Sequence, residues 1–223
     1  MIRAIIFDFD GLLVDTETPW YEALLAVYQE HDAHLPLDTY LQCVGTSLEQ
    51  FDPYKHLATC IGRSLDLDAI RRRTSEKHAQ IMEQVGLRPG VEAYLDQARS
   101  LGLKVGLASS SKREWVVGYL ERFRIREHFE VIRTADDVQK VKPDPELYRS
   151  ALQALGVDHS HALSFEDSLN GLRAAKAAGM HCVIVPNSIT QHLAFAGHSY
   201  RLESMSALPL QMVIEQVLRA EVQ

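Results

Sequence analysis

The chain has 223 residues, 46% of them hydrophobic and 24% charged, a composition typical of a globular protein rather than a disordered or repetitive one. Its formal net charge of −7 at pH 7 argues against a broad basic surface for nucleic acid. An acidic chain that binds a phosphorylated ligand must therefore attract it locally, through a metal ion and a few cations.

No segment approaches the roughly 18 apolar residues of a membrane span. The three cysteines, Cys43, Cys60 and Cys182, are far apart and have no metal-ligand spacing. This pattern predicts small buried side chains in a reducing compartment. We therefore expect a soluble, cytoplasmic monomer that binds neither membrane nor nucleic acid.

The first half of the chain combines one strand with a long helical region. Ala4–Phe7 is an apolar run that predicts a buried strand, ending at the polar turn Asp8-Phe9-Asp10-Gly11. From about Glu17 to Val85 the pattern is helical, with helices predicted at Leu48–Ile61 and Leu67–Val85.

Helix and strand patterns alternate after Arg88-Pro89-Gly90. Gly102, Gly156 and Gly179 each stand between a helix and the next strand, where a left-handed C-terminal cap is typical. The predicted elements are a helix at Val91–Leu101, a strand at Lys104–Ala108, a helix at Arg113–Phe123, a strand at Phe129–Thr134, a helix at Pro145–Leu155, a strand at Ala162–Phe165, a helix at Leu169–Ala178 and a strand at Cys182–Val185.

These repeated units predict a doubly wound, parallel-sheet α/β core of the Rossmann-like kind, with helices on both faces. The helical region interrupts this core after its first strand. We therefore predict that residues 1–14 and 89–223 form the α/β core and that residues 15–88 form an inserted α-helical cap domain. Such a cap would lie over the tip of the first strand as a lid.

Four polar segments follow the predicted strands or lie shortly downstream of one. They are Asp8-Phe9-Asp10, Ser109-Ser110-Ser111-Lys112, Lys142-Pro143-Asp144-Pro145 and Glu166-Asp167-Ser168. Because ligands of open parallel sheets bind at the carboxyl ends of the strands, we expect these segments to meet. Each alone indicates little, since Asp and Ser often form turns or cap helices. Asp66-Leu67-Asp68 is also an Asp-x-Asp, but it lies in the helical region, and for it we expect a structural role.

Carboxylates that converge repel one another unless a cation holds them, and oxygen ligands without His or Cys favour Mg²⁺. One carboxylate can attack phosphorus to form an aspartyl phosphate, while a second exchanges protons with the leaving oxygen and with water. A serine hydroxyl and a lysine ammonium can hold the phosphoryl oxygens. The segments therefore predict magnesium-dependent phosphoryl transfer.

In this order, the four segments resemble the motifs of the haloacid dehalogenase superfamily, and the match runs from Ile5 to Val185. Within it the chain is similar to the branch of β-phosphoglucomutase and sugar-phosphate phosphatases. The resemblance implies that Asp8 is the nucleophile and a Mg²⁺ ligand, and that Asp10 is the general acid/base and binds the metal through its backbone carbonyl. It also implies that Asp167 is the remaining protein ligand and that Glu166 either lies behind the ligands or reaches the metal through water.

The resemblance implies further that Ser109 binds the transferring phosphoryl group and that Lys142 neutralises charge around Asp8. Gly11 would begin a flexible turn. Phosphate-binding candidates are Ser109, Ser110, Ser111 and Lys112. Candidates for substrate specificity in the cap are Thr16, Glu17, Trp20, Thr46 and Lys77.

We therefore expect a phosphoric monoester hydrolase acting on a small phosphorylated metabolite such as a sugar phosphate. Dehalogenases of the superfamily use a single Asp on the first strand and no metal, so Asp10 and Asp167 favour phosphoryl transfer. A phosphosugar mutase is the alternative, but this chain has Trp20 where the family mutase has His, and no Arg in the turn at 45–49. A non-catalytic phosphate-binding or partner-binding protein of the same fold is a third possibility.

Overall fold

The structure, a computed structural model, describes residues 1–42, 44 and 51–220. The chain forms two compact units. One comprises Met1–Val14, Gly86–Asn187 and Ala194–Gln223, and the other comprises Asp15–Val85 and Ser188–Leu193. We call them the sheet unit and the helical unit.

A six-stranded sheet organises the sheet unit. Its strands are β1 (Ala4–Phe7), β2 (Lys104–Ala108), β3 (Val131–Arg133), β4 (Ala162–Glu166), β5 (His181–Ile184) and β6 (Tyr200–Arg201). They pair in the order β3-β2-β1-β4-β5-β6, and every pair is parallel. The predicted doubly wound α/β fold class is therefore confirmed.

Helices are present in both units. In chain order they are α1 (Glu17–Glu30), α2 (Leu37–Tyr40), α3 (Pro53–Ile61), α4 (Leu67–Met82), α5 (Val91–Ser100), α6 (Arg113–Arg122), α7 (Glu146–Leu155), α8 (Leu169–Ala177) and α9 (Leu210–Ala220). Ala4 and Ile6 of β1 pack in one apolar cluster with residues of α7 and α8. Alternate residues of a strand face opposite sides, and Phe7 accordingly packs elsewhere, with its ring stacked on Phe165 at 5.2 Å.

Most predicted elements of the sheet unit form within a few residues of the expected bounds, and β2 matches its prediction. The predicted strand at Phe129–Thr134 is shortened to β3, which lies between 3-10 turns at Arg126–His128 and Ala135–Asp137. The sequence prediction omitted β6 and α9. The first has only two residues, whereas the second buries Leu210 and Val213 on one face, a helical periodicity that the prediction did not use.

The helical unit is built around the pairing of α1 with α4. Leu24, Val27 and Tyr28 of α1 are buried there. The predicted helix at Leu48–Ile61 is observed as α3, and its first three positions lie outside the described residues. Asp66 accepts hydrogen bonds from the backbone N–H groups of residues 68 and 69 and so caps α4, which confirms its structural role.

The two units differ from the predicted domains in two places. Residues 86–88 belong to the sheet unit, although the prediction assigned them to the cap. Ser188–Leu193 belongs to the helical unit, although the prediction assigned it to the core. Ile189 and Leu193 join the apolar cluster of the helical unit, so burial of these two side chains accounts for the assignment of the segment to that unit. That residues 15–88 act as a cap stays a prediction.

Cys182 is buried as expected, but Cys60 is exposed, so the expectation was wrong for Cys60, and Cys43 lies outside the described residues. Within the described part of the chain, no helix combines the length and apolar character needed to cross a membrane.

Candidate active site

The predicted motif residues lie at one edge of the sheet because three neighbouring strands end together. Asp8 follows β1, Ser109 follows β2 and Asp167 follows β4, and β1 lies between the other two strands. The register pairs Phe7 with Leu107 and with Phe165, so the residues that follow are level across the sheet. The order of the strands reverses at β1, the position where α/β sheets open a crevice for ligands.

The buried ammonium group of Lys142 lies at this edge of the sheet. Its Nζ donates to Asp8 Oδ1 at 2.5 Å and to Glu166 Oε1 at 2.7 Å. The Tyr148 hydroxyl, on α7, donates to the same Glu166 oxygen, and Glu166 is fully buried. The ammonium thus has two carboxylate partners, as a buried charge requires.

Asp8, Glu166 and Asp167 form a candidate metal centre. One oxygen from each lies within 4.8 Å of the others, and all three residues are buried. Together with Lys142, three ionised carboxylates would leave a net charge of −2, which a divalent cation would neutralise. Oxygen-only donors suit Mg²⁺. These residues therefore fit the predicted cation. The predicted Asp10 carbonyl ligand stays a prediction.

The pKa values of Asp8 and Lys142 are both shifted by burial and by the neighbouring charges. Burial raises the pKa of Asp8 to about 8, Glu166 adds to the increase, and Lys142 opposes it. Burial by itself would lower the pKa of Lys142, but the Asp8 and Glu166 carboxylates raise it above its usual range. Asp8 is therefore harder to ionise than a free carboxyl group, and a cation beside it would favour its ionised form.

Gly11 and Asn187 both contact the Asp167 carboxylate at Oδ2. Gly11 has φ +76°, and a Cβ at this position would lie 2.2 Å from Asp167 Oδ2, so the close approach requires glycine. Asn187 Nδ2 donates to the same oxygen at 2.8 Å and to the Gly11 carbonyl at 3.2 Å. These contacts fix the direction of the Asp167 carboxylate.

The Asp10 carboxylate is turned toward the segment after β2. Its Oδ2 accepts from Ser111 Oγ at 2.6 Å and from Ser109 Oγ at 3.2 Å, and its Oδ1 accepts from Trp115 Nε1 at 3.0 Å. Ser110 and Lys112 are exposed, and Lys112 precedes the first residue of α6. Phosphate binding by these side chains stays a prediction.

The specificity candidates that the structure describes fall in the helical unit. Thr16 is buried and Glu17 begins α1. Trp20 stacks on the His78 ring with a centroid separation of 3.8 Å. Lys77 forms an ion pair with Glu30 at 2.9 Å, which ties α4 to α1. The last candidate, Thr46, lies outside the described residues.

Three residues of the site were absent from the sequence prediction. Tyr148 and Trp115 lie inside helices and carried no local signal. Asn187 follows β5 closely, and applying the strand-end argument to that strand would have identified it.

A family model described as "Haloacid dehalogenase-like hydrolase" matches residues 5–185. The chain belongs to this family. The predicted family and the prediction of a hydrolase are therefore confirmed.

Known relatives of the family extend over nearly the whole chain. "Putative phosphatase YhcW" of Bacillus subtilis is 49% identical over 215 residues, which cover 96% of this chain and 97% of that protein. "Phosphorylated carbohydrates phosphatase" of Thermotoga maritima is 32% identical and covers 80% of this chain and 82% of its own length. The crystal structure of CbbY from Rhodobacter sphaeroides in complex with phosphate has a TM-score of 0.67 at 30% identity, over 93% of this chain and 96% of that one. These relatives support a phosphoric monoester hydrolase.

Replacement of Lys142 by Met should destabilise the fold by about 3–5 kcal/mol, because it leaves buried carboxylates without their cationic partner. The loss should be larger without Mg²⁺ than with it. Urea unfolding measured with Mg²⁺ and with EDTA checks both statements. Lys140→Met, an exposed lysine of the same segment, is the matched control and should change stability little. Equal stabilities of the two variants would contradict the charge balance described above.

Magnesium should stabilise the protein more at about pH 8 than at about pH 5.5. Burial raises the pKa of the Asp8 carboxyl in the folded protein from its ordinary 3.8 to about 8. Between these two pKa values the unfolded chain has lost the Asp8 proton and the folded protein retains it, so the metal-free fold becomes less stable as pH rises. Binding of Mg²⁺ to Asp8 must displace this proton, which costs more at the lower pH. Thermal unfolding with and without Mg²⁺ at both pH values measures the difference, which Asp8→Asn should reduce. Equal increases in Tm at both pH values would contradict the assignment.

Proposed function

We propose that this chain is a Mg²⁺-dependent phosphatase that hydrolyses a small phosphate monoester through an aspartyl phosphate on Asp8. The observation that carries the proposal is the Lys142 ammonium held between Asp8 and Glu166, with Asp167 beside them. An ionised carboxylate at the switch point of the sheet, next to a fixed cation, is suited to attack phosphorus.

The nucleophile is held by contacts on one of its oxygens. Lys142 donates to Asp8 Oδ1, and we assign the other oxygen, Oδ2, to the attack. The ammonium would also balance the negative charge that accumulates on the phosphoryl oxygens during transfer. When bound by Asp8, Asp167 and the Asp10 carbonyl, Mg²⁺ would neutralise and orient those oxygens. Glu166 would hold Lys142 in place.

Asp10 and Ser109 complete the reacting groups. Asp10 would protonate the leaving oxygen in the first half-reaction, and its carboxylate would take a proton from water in the second. Ser109 is fully buried, and its hydroxyl touches Asp10 in this structure. Rotation of that hydroxyl toward a phosphoryl oxygen would place the substrate next to the general acid.

The substrate class is proposed from the acidity of the chain and from the relatives. A net charge of −7 leaves phosphate recognition to the metal and the local cations, which suits a small ligand. The names of the relatives include a phosphatase of phosphorylated carbohydrates. A sugar phosphate is therefore the substrate that we propose, and the compartment is proposed to be the cytoplasm.

Phosphosugar mutase remains the alternative reaction. A mutase has to hold a second phosphate while the aspartyl phosphate persists. Trp20 occupies the position of the mutase His and stacks on His78, so it offers no cation of its own for a second phosphate. The turn at 45–49, where the mutase has Arg, lies outside the described residues.

Asp8→Asn should lower turnover of a generic aryl phosphate with Mg²⁺ by at least about 10³-fold, because the variant removes the nucleophile. Asp66→Asn is the matched control: it alters the first Asp of the other Asp-x-Asp, and Asn still caps a helix. The control should retain wild-type turnover. Equal rates for wild type and Asp8→Asn would overturn the assignment of Asp8.

The same preparation separates the remaining alternatives. With a sugar 1-phosphate, release of inorganic phosphate ahead of any 6-phosphate favours the phosphatase, and the reverse order would favour the mutase. Tight binding of Mg²⁺ and a phosphate analogue, without turnover of a broad panel of monoesters, would indicate the non-catalytic protein.

A further inference from the structure

The indole of Trp115 contacts the predicted acid/base directly. Trp115 lies in the first turn of α6, and its Nε1 donates to Asp10 Oδ1 at 3.0 Å. The other carboxylate oxygen, Oδ2, meets the hydroxyls of Ser111 and Ser109. The two oxygens of Asp10 therefore have chemically different partners.

This difference determines where a proton can reside. An indole N–H can only donate, so Oδ1 must remain an acceptor whether or not Asp10 is protonated. A serine hydroxyl can donate or accept, so Oδ2 keeps its contacts in both states. The proton of the neutral acid is thereby directed to Oδ2, the oxygen that adjoins Ser109.

We propose that Trp115 is a positioning residue that fixes Asp10 with Oδ2 as its proton-transferring oxygen. The inference rests on the phosphatase function proposed above. In the first half-reaction, an Asp8 oxygen bonds to phosphorus, the bond from phosphorus to the ester oxygen breaks, and the proton on Asp10 Oδ2 moves to that oxygen. The alcohol leaves, and Asp10 becomes a carboxylate that Trp115 and Ser111 still hold.

The surroundings of Trp115 allow the N–H donor to be removed while an aromatic ring is kept. Its ring is half-buried, contacts Tyr119 edge-on at 4.7 Å and borders an open cavity of about 370 Å³. Trp115→Phe retains an aromatic ring and removes the N–H donor. Tyr119→Phe is the matched control, because Tyr119 borders the same cavity and has no hydrogen bond to Asp10 among the described contacts.

Leaving-group dependence tests the role in catalysis. Alkyl phosphates need protonation of the leaving oxygen, whereas 4-nitrophenyl phosphate releases a stable anion. We expect Trp115→Phe to lower kcat/KM about tenfold or more for a simple alkyl phosphate, and less than about twofold for 4-nitrophenyl phosphate. The ratio kcat/KM includes only the steps up to alcohol release, so the later hydrolysis of the aspartyl phosphate does not mask the effect. Tyr119→Phe should leave both values near those of the wild type.

Equal losses on the two esters would show a structural role and overturn the proposal, as would no loss on either. If wild type turns over neither ester, the proposed function fails first, and the positioning role fails with it. A second measurement tests the hydrogen bond between Trp115 and Asp10 directly. In ¹⁵N NMR spectra of the metal-free protein, the indole N–H resonance of Trp115 is identified as the one that disappears in Trp115→Phe. This resonance should shift in Asp10→Ala and stay in place in Asp66→Asn. An unshifted resonance in Asp10→Ala would overturn the contact.

Discussion

Lys142 is buried with its ammonium between the carboxylates of Asp8 and Glu166, and the rest of the site is arranged around that pairing. A charge removed from water persists only with partners, so the segment carrying Lys142 has to bring it to the sheet edge where both carboxylates lie. Tyr148 adds a hydrogen bond to Glu166. The pairing leaves excess negative charge, and this excess is the physical reason for a divalent cation.

The sheet supplies the geometry that the charges need. Parallel strands end at a common edge, and β1 lies at the centre, with β2 and β4 on its two sides. The proposed nucleophile after β1 therefore has the serines that contact Asp10 at the β2 end on one side, and Glu166 and Asp167 at the β4 end on the other. Gly11 allows the chain to turn without displacing Asp167. The order of the strands in the sheet therefore determines which side chains can meet at the site.

The sequence allowed the central strands and the strand-end residues to be predicted, because buried apolar runs and their polar ends are local patterns. It did not reveal β6, which has two residues and little apolar character, or the membership of Ser188–Leu193 in the helical unit. The contact between Trp115 and Asp10 joins residues 105 positions apart, so it depends on how α6 packs and leaves no local pattern. The groups that we propose to react were therefore predictable from the sequence, whereas the contacts made by Trp115 and Tyr148 were not.

The most direct test of the account is the identity of the phosphorylated residue. Turnover of a monoester with Mg²⁺ is quenched in acid, the acyl phosphate is reduced with borohydride, and the peptides are analysed by mass spectrometry. Reduction converts an aspartyl phosphate to homoserine, and we predict this conversion at Asp8. Conversion at another carboxylate, or inorganic phosphate release with Asp8 unmodified throughout the time course, would contradict the account.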